Sequence, residues 1–130
     1  LIFFICIVLT ISINQSCNKD DIQEIVNPNL ILGTYSGKVF SENRTRIANT
    51  EIIVSNFRNS HIDCNFKFTD TNTEVRVDSL LVTVNNQSIL VYKAQENEFI
   101  LDGKYHNDSL NIEFKDIRFG SELLFETKKK

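Results

Sequence analysis

The feature that most constrains the fold of this chain is an alternation of apolar and polar residues that recurs from residue 33 to residue 127. Successive side chains of a β-strand point to opposite faces, so an alternation with period two predicts a strand with one buried face. The alternation occupies residues 33–40, 50–56, 61–69, 74–84, 88–94, 98–105, 109–115 and 122–127, and segment 74–84 holds either two strands or one long bent strand. We therefore predict about eight strands.

Short polar clusters separate these segments and predict reversals of the chain. They cover residues 56–60, 70–73, 85–87, 95–97, 106–108 and 116–120 and are rich in Asn, Asp, Ser and Gly. These residues tolerate a left-handed backbone or hydrogen-bond to their own backbone. The predicted fold is all-β, a single antiparallel up-and-down meander, and closure into a barrel would remove its two exposed edges.

The amino-acid bias beyond residue 30 also favours strands over helices. This part of the chain has only two alanines, Ala48 and Ala94, and no methionine, whereas Ile, Val, Phe and Thr are frequent. β-Branched and aromatic residues suit a pleated, half-buried surface, and alanine is the best helix former. No segment shows a convincing helical periodicity.

The first residues form an apolar run of a different kind. Residues 1–13 are apolar except for Thr10 and Ser12. The run is too short to span a bilayer, which needs ~20 residues, and has the length of the hydrophobic region of a signal peptide. Because the sequence begins at Leu1 without a methionine, we interpret it as truncated at its N-terminus.

The end of this run, Ser16-Cys17, resembles a bacterial lipobox, in which a signal peptidase cuts before a lipidated cysteine. The residues that follow include Lys19, Asp20 and Asp21, which are similar to the tract that exports Bacteroidetes lipoproteins to the cell surface. The resemblance implies lipid attachment at Cys17 and a membrane partner, since each buried methylene of an acyl chain contributes ~0.8 kcal/mol to anchoring.

This resemblance implies that the protein is located in the outer membrane of a Gram-negative bacterium, at the cell surface. The periplasm-facing leaflet is the alternative location. An ordinary secretory signal and an uncleaved anchor are the other interpretations of the run. The chain then divides into a signal peptide at residues 1–16, a lipidated cysteine with a polar tether at residues 17–30, and a folded domain at residues 31–130. The tether contains the only proline, Pro28, as is typical of a linker.

A second resemblance covers most of residues 31–130. Its motifs are the Gly-Thr-Tyr-Ser-Gly opening of the first strand at residues 33–37, the Gly-Lys-Tyr hairpin strand at 103–105 with Asp-Ser-Leu-Asn-Ile at 108–112, and the terminal Leu-Leu-Phe-Glu at 123–126. Together they resemble the calycin-like, or lipocalin-like, β-barrel lipoproteins of Bacteroidetes. In lipocalins an aromatic residue near the start of the first strand packs one end of the barrel shut, so the resemblance implies this structural role for Tyr35.

Charge and motifs exclude several functions. The net charge of −3 gives no electrostatic footprint for nucleic acid. The sequence has no phosphate-binding loop, no Gly-x-Ser-x-Gly elbow and no His-Glu-x-x-His pattern, so we expect neither an enzyme nor a cofactor.

Two pairs of residues could in principle orient an imidazole or supply metal ligands. They are His61 with Asp63, on the polar face of one strand, and His106 with Asp108, across a predicted turn. A metal site needs three or four ligands, so we expect no metal site. The simpler interpretation is a solvated polar face for the first pair and a turn in which Asp108 caps the backbone for the second.

Cys64 is expected to be a lone buried thiol. Ile62, Cys64, Phe66 and Phe68 share the apolar face of segment 61–69, while the other two cysteines fall in the signal and at the lipid site. Burial in apolar surroundings raises the pKa of a thiol, which makes it unreactive. The basic run at residues 128–130 is expected to be solvated, with contact to acidic lipid as the alternative.

Two functions remain open at this stage. The interior of an eight-stranded barrel is just wide enough to be filled by its own side chains or to hold one small ligand. The chain is therefore either a tethered carrier of a small apolar ligand or a filled barrel that docks another surface protein or an extracellular polymer. The strand phenylalanines are expected to form plain core, with the walls of an apolar cavity as the alternative, and the oligomeric state is left open.

Overall fold

The computed structural model describes residues 26–130, which form eight antiparallel strands closed into a barrel. A short 3-10 helix, Pro28–Ile31, precedes the first strand. The strands are β1 (Gly33–Ser41), β2 (Arg46–Arg58), β3 (His61–Phe68), β4 (Thr73–Asn85), β5 (Ser88–Gln95), β6 (Phe99–His106), β7 (Ser109–Asp116) and β8 (Ser121–Lys129). Each strand pairs with the next, and β1 pairs with β8, which confirms the predicted all-β meander and its closure.

Segment 74–84 is one bent strand, the second of the two alternatives. The register between β3 and β4 shifts so that Cys64 is opposite Val77 but Ile62 is opposite Leu80. Ser79 has a positive φ of 59°, the left-handed backbone found at one residue of a G1-type β-bulge. Because of this extra residue, Val77 and Leu80 both point inward although they are three positions apart.

The centre and one end of the barrel are solid. Nine inward side chains have no surface that water can touch, either from outside or from an internal void: Tyr35, Val39, Ile52, Ile62, Leu80, Ile89, Val91, Leu101 and Leu110. Each such side chain contributes roughly 1.5–3 kcal/mol by its removal from water. The part of the barrel that they line therefore has no room for a ligand.

The two ends of the barrel differ. At the closed end, the 3-10 helix lies against the start of β1, and the side-chain amide oxygen of Asn27 caps it by accepting the N–H of Asn29 at 3.0 Å. Ile31 is completely buried and Val26 packs against the core. The packed domain thus begins within the segment that the sequence analysis assigned to the tether.

The opposite end, which we call the open end, carries the loops β1–β2, β3–β4, β5–β6 and β7–β8. The segment that leads back towards residue 25 and the final residue, Lys130, both lie at the closed end, where the backbone N–H of Lys130 bonds to the carbonyl of Thr34 at 2.9 Å. Within residues 26–130, no helix has the length and apolar character needed to cross a bilayer.

Candidate functional site

Cys17, predicted to carry the lipid, and Lys19, Asp20 and Asp21, predicted to form an export tract, lie outside the described residues. Their roles stay predictions. The structure does show the folded domain that such an anchor would hold, and it places the other residues singled out from the sequence.

Tyr35 plugs the closed end of the barrel. Its side chain is fully buried, and its hydroxyl donates a hydrogen bond of 2.6 Å to the carbonyl of Ile31 in the 3-10 helix. The ring of Tyr105 meets it edge-on, with 6.3 Å between the ring centroids. Burial is the main cause of a raised pKa for the Tyr35 hydroxyl, so this group is a hydrogen-bond donor at all ordinary pH values. The expected structural role of Tyr35 agrees with this position.

One of the three terminal lysines, Lys129, departs from the solvated basic run that the sequence predicts. Lys129 is half-buried, and its ammonium group donates to the carbonyl of Leu30 at 2.6 Å. The same group lies 5.9 Å from the ring centre of Tyr35, within the range of a cation–π interaction. Lys130 pairs with Glu51 at 2.6 Å and lowers its pKa. Lys128 and Lys130 are both exposed, so only Lys129 is partly withdrawn from solvent.

Asp63 is buried on the outer face of β3, so the prediction of a solvated side chain was wrong. It is 3% exposed, because arginine side chains from two strands cover it. Its carboxylate accepts hydrogen bonds from Arg58 at 3.1 Å, from the Asn56 amide at 3.0 Å and from the backbone N–H of Ser79 at 3.0 Å. Arg76 lies 3.4 Å from the same carboxylate. The bond from Arg58 is the largest cause of a pKa far below the usual range of an aspartate.

Neither histidine pair acts as a unit. The Nδ1 atom of His61 lies 2.7 Å from the carbonyl of Asn59, whereas the Asp63 carboxylate is occupied by its own donors. Asp108 accepts the hydroxyl of Tyr105 at 2.9 Å. Within the described part of the chain, no three His, Cys, Asp or Glu side chains lie close enough to hold a metal ion.

Cys64 is the buried, unpaired thiol that the sequence predicted. It is 1% exposed, and no disulfide partner lies within residues 26–130. Burial raises the pKa of the thiol to about 12. Cys64 is therefore part of the core and not a reactive group.

An apolar surface lies at the open end of the barrel, and we call it the apolar mouth. It consists of the inward-facing side chains Phe68, Val75, Phe99, Phe114 and Leu123. Four of them are half-buried against the core, while Val75 is 48% exposed. The rings of Phe99 and Phe114 stack, with 5.3 Å between their centroids. The mouth thus offers aromatic surface without a deep cavity beneath it.

Further apolar side chains surround the same end. Ile117 and Phe119, in the loop between β7 and β8, are 46% and 79% exposed. Ile47, near the start of β2, is 53% exposed. Exposed apolar side chains also lie elsewhere on the domain, at Leu30, Leu81, Val84 and Tyr92. The open end is the stronger candidate interaction site because its exposed residues adjoin the aromatic side chains of the mouth.

A gap in strand pairing adjoins the mouth. β4 pairs with β3 from Thr73 to Leu81, but with β5 only from Leu81 to Asn85. We call the gap between residues 73–80 of β4 and residues 93–95 of β5 the seam. The ammonium group of Lys93 crosses it and donates to the carbonyl of Asp78. No local sequence pattern indicates the seam, which ends beside the bulge at Ser79.

A groove of about 540 Å³ also opens on the outer face of the barrel. Its floor includes Leu90 and Leu124, and Arg44 bonds to Glu126 at 2.9 Å along one wall. Asp102 and Glu113 are direct cross-strand neighbours there, and like charges in such positions repel each other. The groove is wide and polar at its rim, which makes it a weaker candidate than the apolar mouth.

Comparison with protein-family models, with curated proteins and with solved structures found no match to this chain. The architecture itself, an eight-stranded antiparallel closed barrel, is compatible with a calycin-like fold.

Proposed function

We propose that this chain is an outer-membrane lipoprotein, of the calycin-like kind found in Bacteroidetes, that docks another macromolecule at the cell surface through the open end of its barrel. Cys17 would carry the lipid, and Lys19, Asp20 and Asp21 would direct export. The proposal assigns a binding role and no catalytic one.

The observation that carries the proposal is the opposition between the two ends of the barrel. The chain leads back towards Cys17 from the closed end, where Val26 and the 3-10 helix pack. The apolar mouth, Ile117 and Phe119 lie at the other end. A lipid on Cys17 would hold the closed end towards the membrane, so the apolar surface would face away from it and meet partners.

The solid interior favours docking over transport of an enclosed ligand. A ligand pocket normally has a volume of ~300–1,000 Å³ and buries most of the ligand. Here Leu80, Val91 and Leu101, at the centre of the barrel, have no surface that even a water molecule could touch. The space that a carrier would use is occupied by side chains.

A small apolar ligand held at the mouth is the second candidate. The stacked rings of Phe99 and Phe114, together with the half-buried Phe68 at the same end, would provide a shallow aromatic contact surface. Native mass spectrometry of the chain purified under non-denaturing conditions tests this candidate. A bound species of defined mass would favour the carrier function over docking.

The anchor is tested by fractionation of cells that express the chain with Cys17→Ser. We expect the variant to leave the membrane fraction, because no acyl chain holds it. Cys64→Ala is the matched control and should stay in the membrane fraction. If Cys17→Ser also stays there, the lipoprotein assignment fails.

Docking is tested by placing a photo-crosslinking phenylalanine analogue at one position in living cells. At position 119, at the open end, we expect a defined adduct that Ile117→Ser weakens. At position 30, an exposed apolar residue at the closed end, the same adduct should be absent. Adducts of equal yield at both positions would contradict docking through the open end.

A further inference from the structure

The seam exposes backbone hydrogen-bonding groups as well as apolar surface. Residues 73–80 of β4 have a strand partner on one side only, β3. All of them except Val77 and Leu80 are exposed. A strand edge of this kind is a template to which another strand can pair.

Two contacts show which backbone groups face the seam. The carbonyl of Asp78 points into it, because it accepts the ammonium group of Lys93 from β5. The N–H of Ser79 points the other way, towards Asp63 of β3. Along an antiparallel strand the N–H and C=O groups of successive residues alternate between the two neighbours. The backbone groups of Glu74 and Arg76 therefore face the seam together with those of Asp78.

The side chains beside this edge alternate in character. Val75 points inward and is 48% exposed, and Val77 behind it is 7% exposed. Glu74 and Arg76 point outward and are solvated, with Arg76 paired to Asp78 at 2.6 Å. An added strand would cover Val75 with an apolar inward side chain and would present polar side chains outward.

We propose that the seam is a strand-acceptor site, in which an extended polypeptide segment of a partner pairs with Glu74, Arg76 and Asp78 of β4. This inference rests on the proposed docking function and names the class of partner. Main-chain hydrogen bonds supply affinity in strand addition, and pockets for alternate side chains supply specificity. The bound segment has apolar residues at every second position, and Lys93 gives up its contact with Asp78 when the segment enters.

The free chain already tests the geometry. In the full chain, held in detergent micelles, amide hydrogen exchange measured by NMR should be fast at Glu74 and Arg76. It should be slow at Val75 and Val77, whose N–H groups face β3. Slow exchange at Glu74 and Arg76 without any added peptide would mean that the edge is already paired, and this would overturn the inference.

Binding is tested with a displayed library of ten-residue peptides selected on the same micellar protein. We expect enriched peptides with alternating apolar residues, which on binding slow the exchange of the Glu74 and Arg76 amides. Glu74→Pro removes a seam-facing N–H from an edge strand, where proline is tolerated, and should weaken binding at least tenfold. Glu74→Ala keeps that N–H and should bind like the parent chain.

The other outcomes separate this inference from the docking function. If peptides bind equally to Glu74→Pro and the parent, or if none is enriched, the strand-acceptor site is wrong. Peptides that depend on Phe119 but not on the backbone of Glu74 would also overturn the seam while leaving docking through the open end intact. Absence of the adduct at position 119 in cells, by contrast, would contradict docking through the open end, whatever the peptide measurements show.

Discussion

The carboxylate of Asp63 accepts a hydrogen bond of 3.0 Å from the backbone N–H of Ser79. Ser79 has a left-handed backbone at the bulge of β4, and its N–H has lost a regular partner in the ladder with β3. Asp63 thus holds the bend that separates the first half of β4 from β5. The contact lies where the seam ends and the pairing of β4 with β5 begins.

Replacement of Asp63 should therefore destabilise the domain. We expect Asp63→Asn to lower the free energy of unfolding by about 2 kcal/mol, the usual size of a lost hydrogen-bonding network to a charged group. Asp102→Asn is the matched control, because Asp102 is exposed and faces Glu113. It should change stability by less than about 0.5 kcal/mol. Urea unfolding measures both, and equal effects would contradict the role of Asp63.

The lowered pKa of Asp63 also determines how the stability of the domain depends on pH. The hydrogen bonds from Arg58, Asn56 and Ser79 lower the pKa of Asp63 in the folded state, whereas an unfolded aspartate has a pKa of about 3.9. A group with a lowered folded pKa stabilises the fold fully above its unfolded pKa and loses this effect as the pH falls towards its folded pKa.

We therefore expect the stability difference between the parent chain and Asp63→Asn to be constant near neutral pH and to shrink as the pH falls below about 4. Urea unfolding at pH 7, 4 and 3 measures it. The comparison cancels Glu51 and Asp116, whose pKa values are also lowered, because both proteins contain them. A stability difference that grows as the pH falls would contradict a lowered pKa of Asp63 in the folded state.

Because Tyr35 fills the closed end of the barrel, we expect its two substitutions to lower the stability of the domain by different amounts. Tyr35→Phe keeps the ring but leaves the Ile31 carbonyl without its donor, so it should cost about 1–3 kcal/mol. Tyr35→Ala also opens a cavity and should cost about 3–5 kcal/mol. Thermal or urea unfolding measures both variants. A loss of partner or ligand binding in Tyr35→Phe at unchanged stability would instead assign Tyr35 to a binding site.

Closure of the barrel depends on a close approach at Gly37. A Cβ atom at this position would overlap the carbonyl oxygen of Glu126 and lie 2.7 Å from the Cα of Thr127. Since both are backbone atoms of β8, relief requires the strands to move apart. We expect Gly37→Ala to lower stability by at least about 3 kcal/mol.

Gly120→Ala is the control for Gly37→Ala. Gly120 has a φ of +65° but open space around its Cα, so only backbone strain of about 1–2 kcal/mol opposes alanine. Circular dichroism during urea unfolding compares the two variants. A milder effect at Gly37 than at Gly120 would contradict tight packing between β1 and β8.

The sequence by itself determined the strands, the turns and most of the inward face. Alternation with period two is a local property, so it is visible without knowledge of any partner strand. It correctly placed Cys64 with Phe66 in the core. The polar clusters marked every reversal except the one between β1 and β2, and β2 begins at Arg46, four residues before the predicted segment. The resemblance to lipocalins also led to the correct structural role for Tyr35.

Only the tertiary structure decided the burial of Asp63, the contacts of Lys129 and the position of the seam. Asp63 is buried because it contacts Arg76 and Ser79 of the neighbouring strand β4. Lys129 donates a hydrogen bond to the carbonyl of Leu30, which lies 99 positions earlier in the chain. The seam reflects which residues of β4 pair with β3 and which with β5. Charge burial and strand pairing depend on contacts between residues distant in sequence, and no local pattern encodes such contacts.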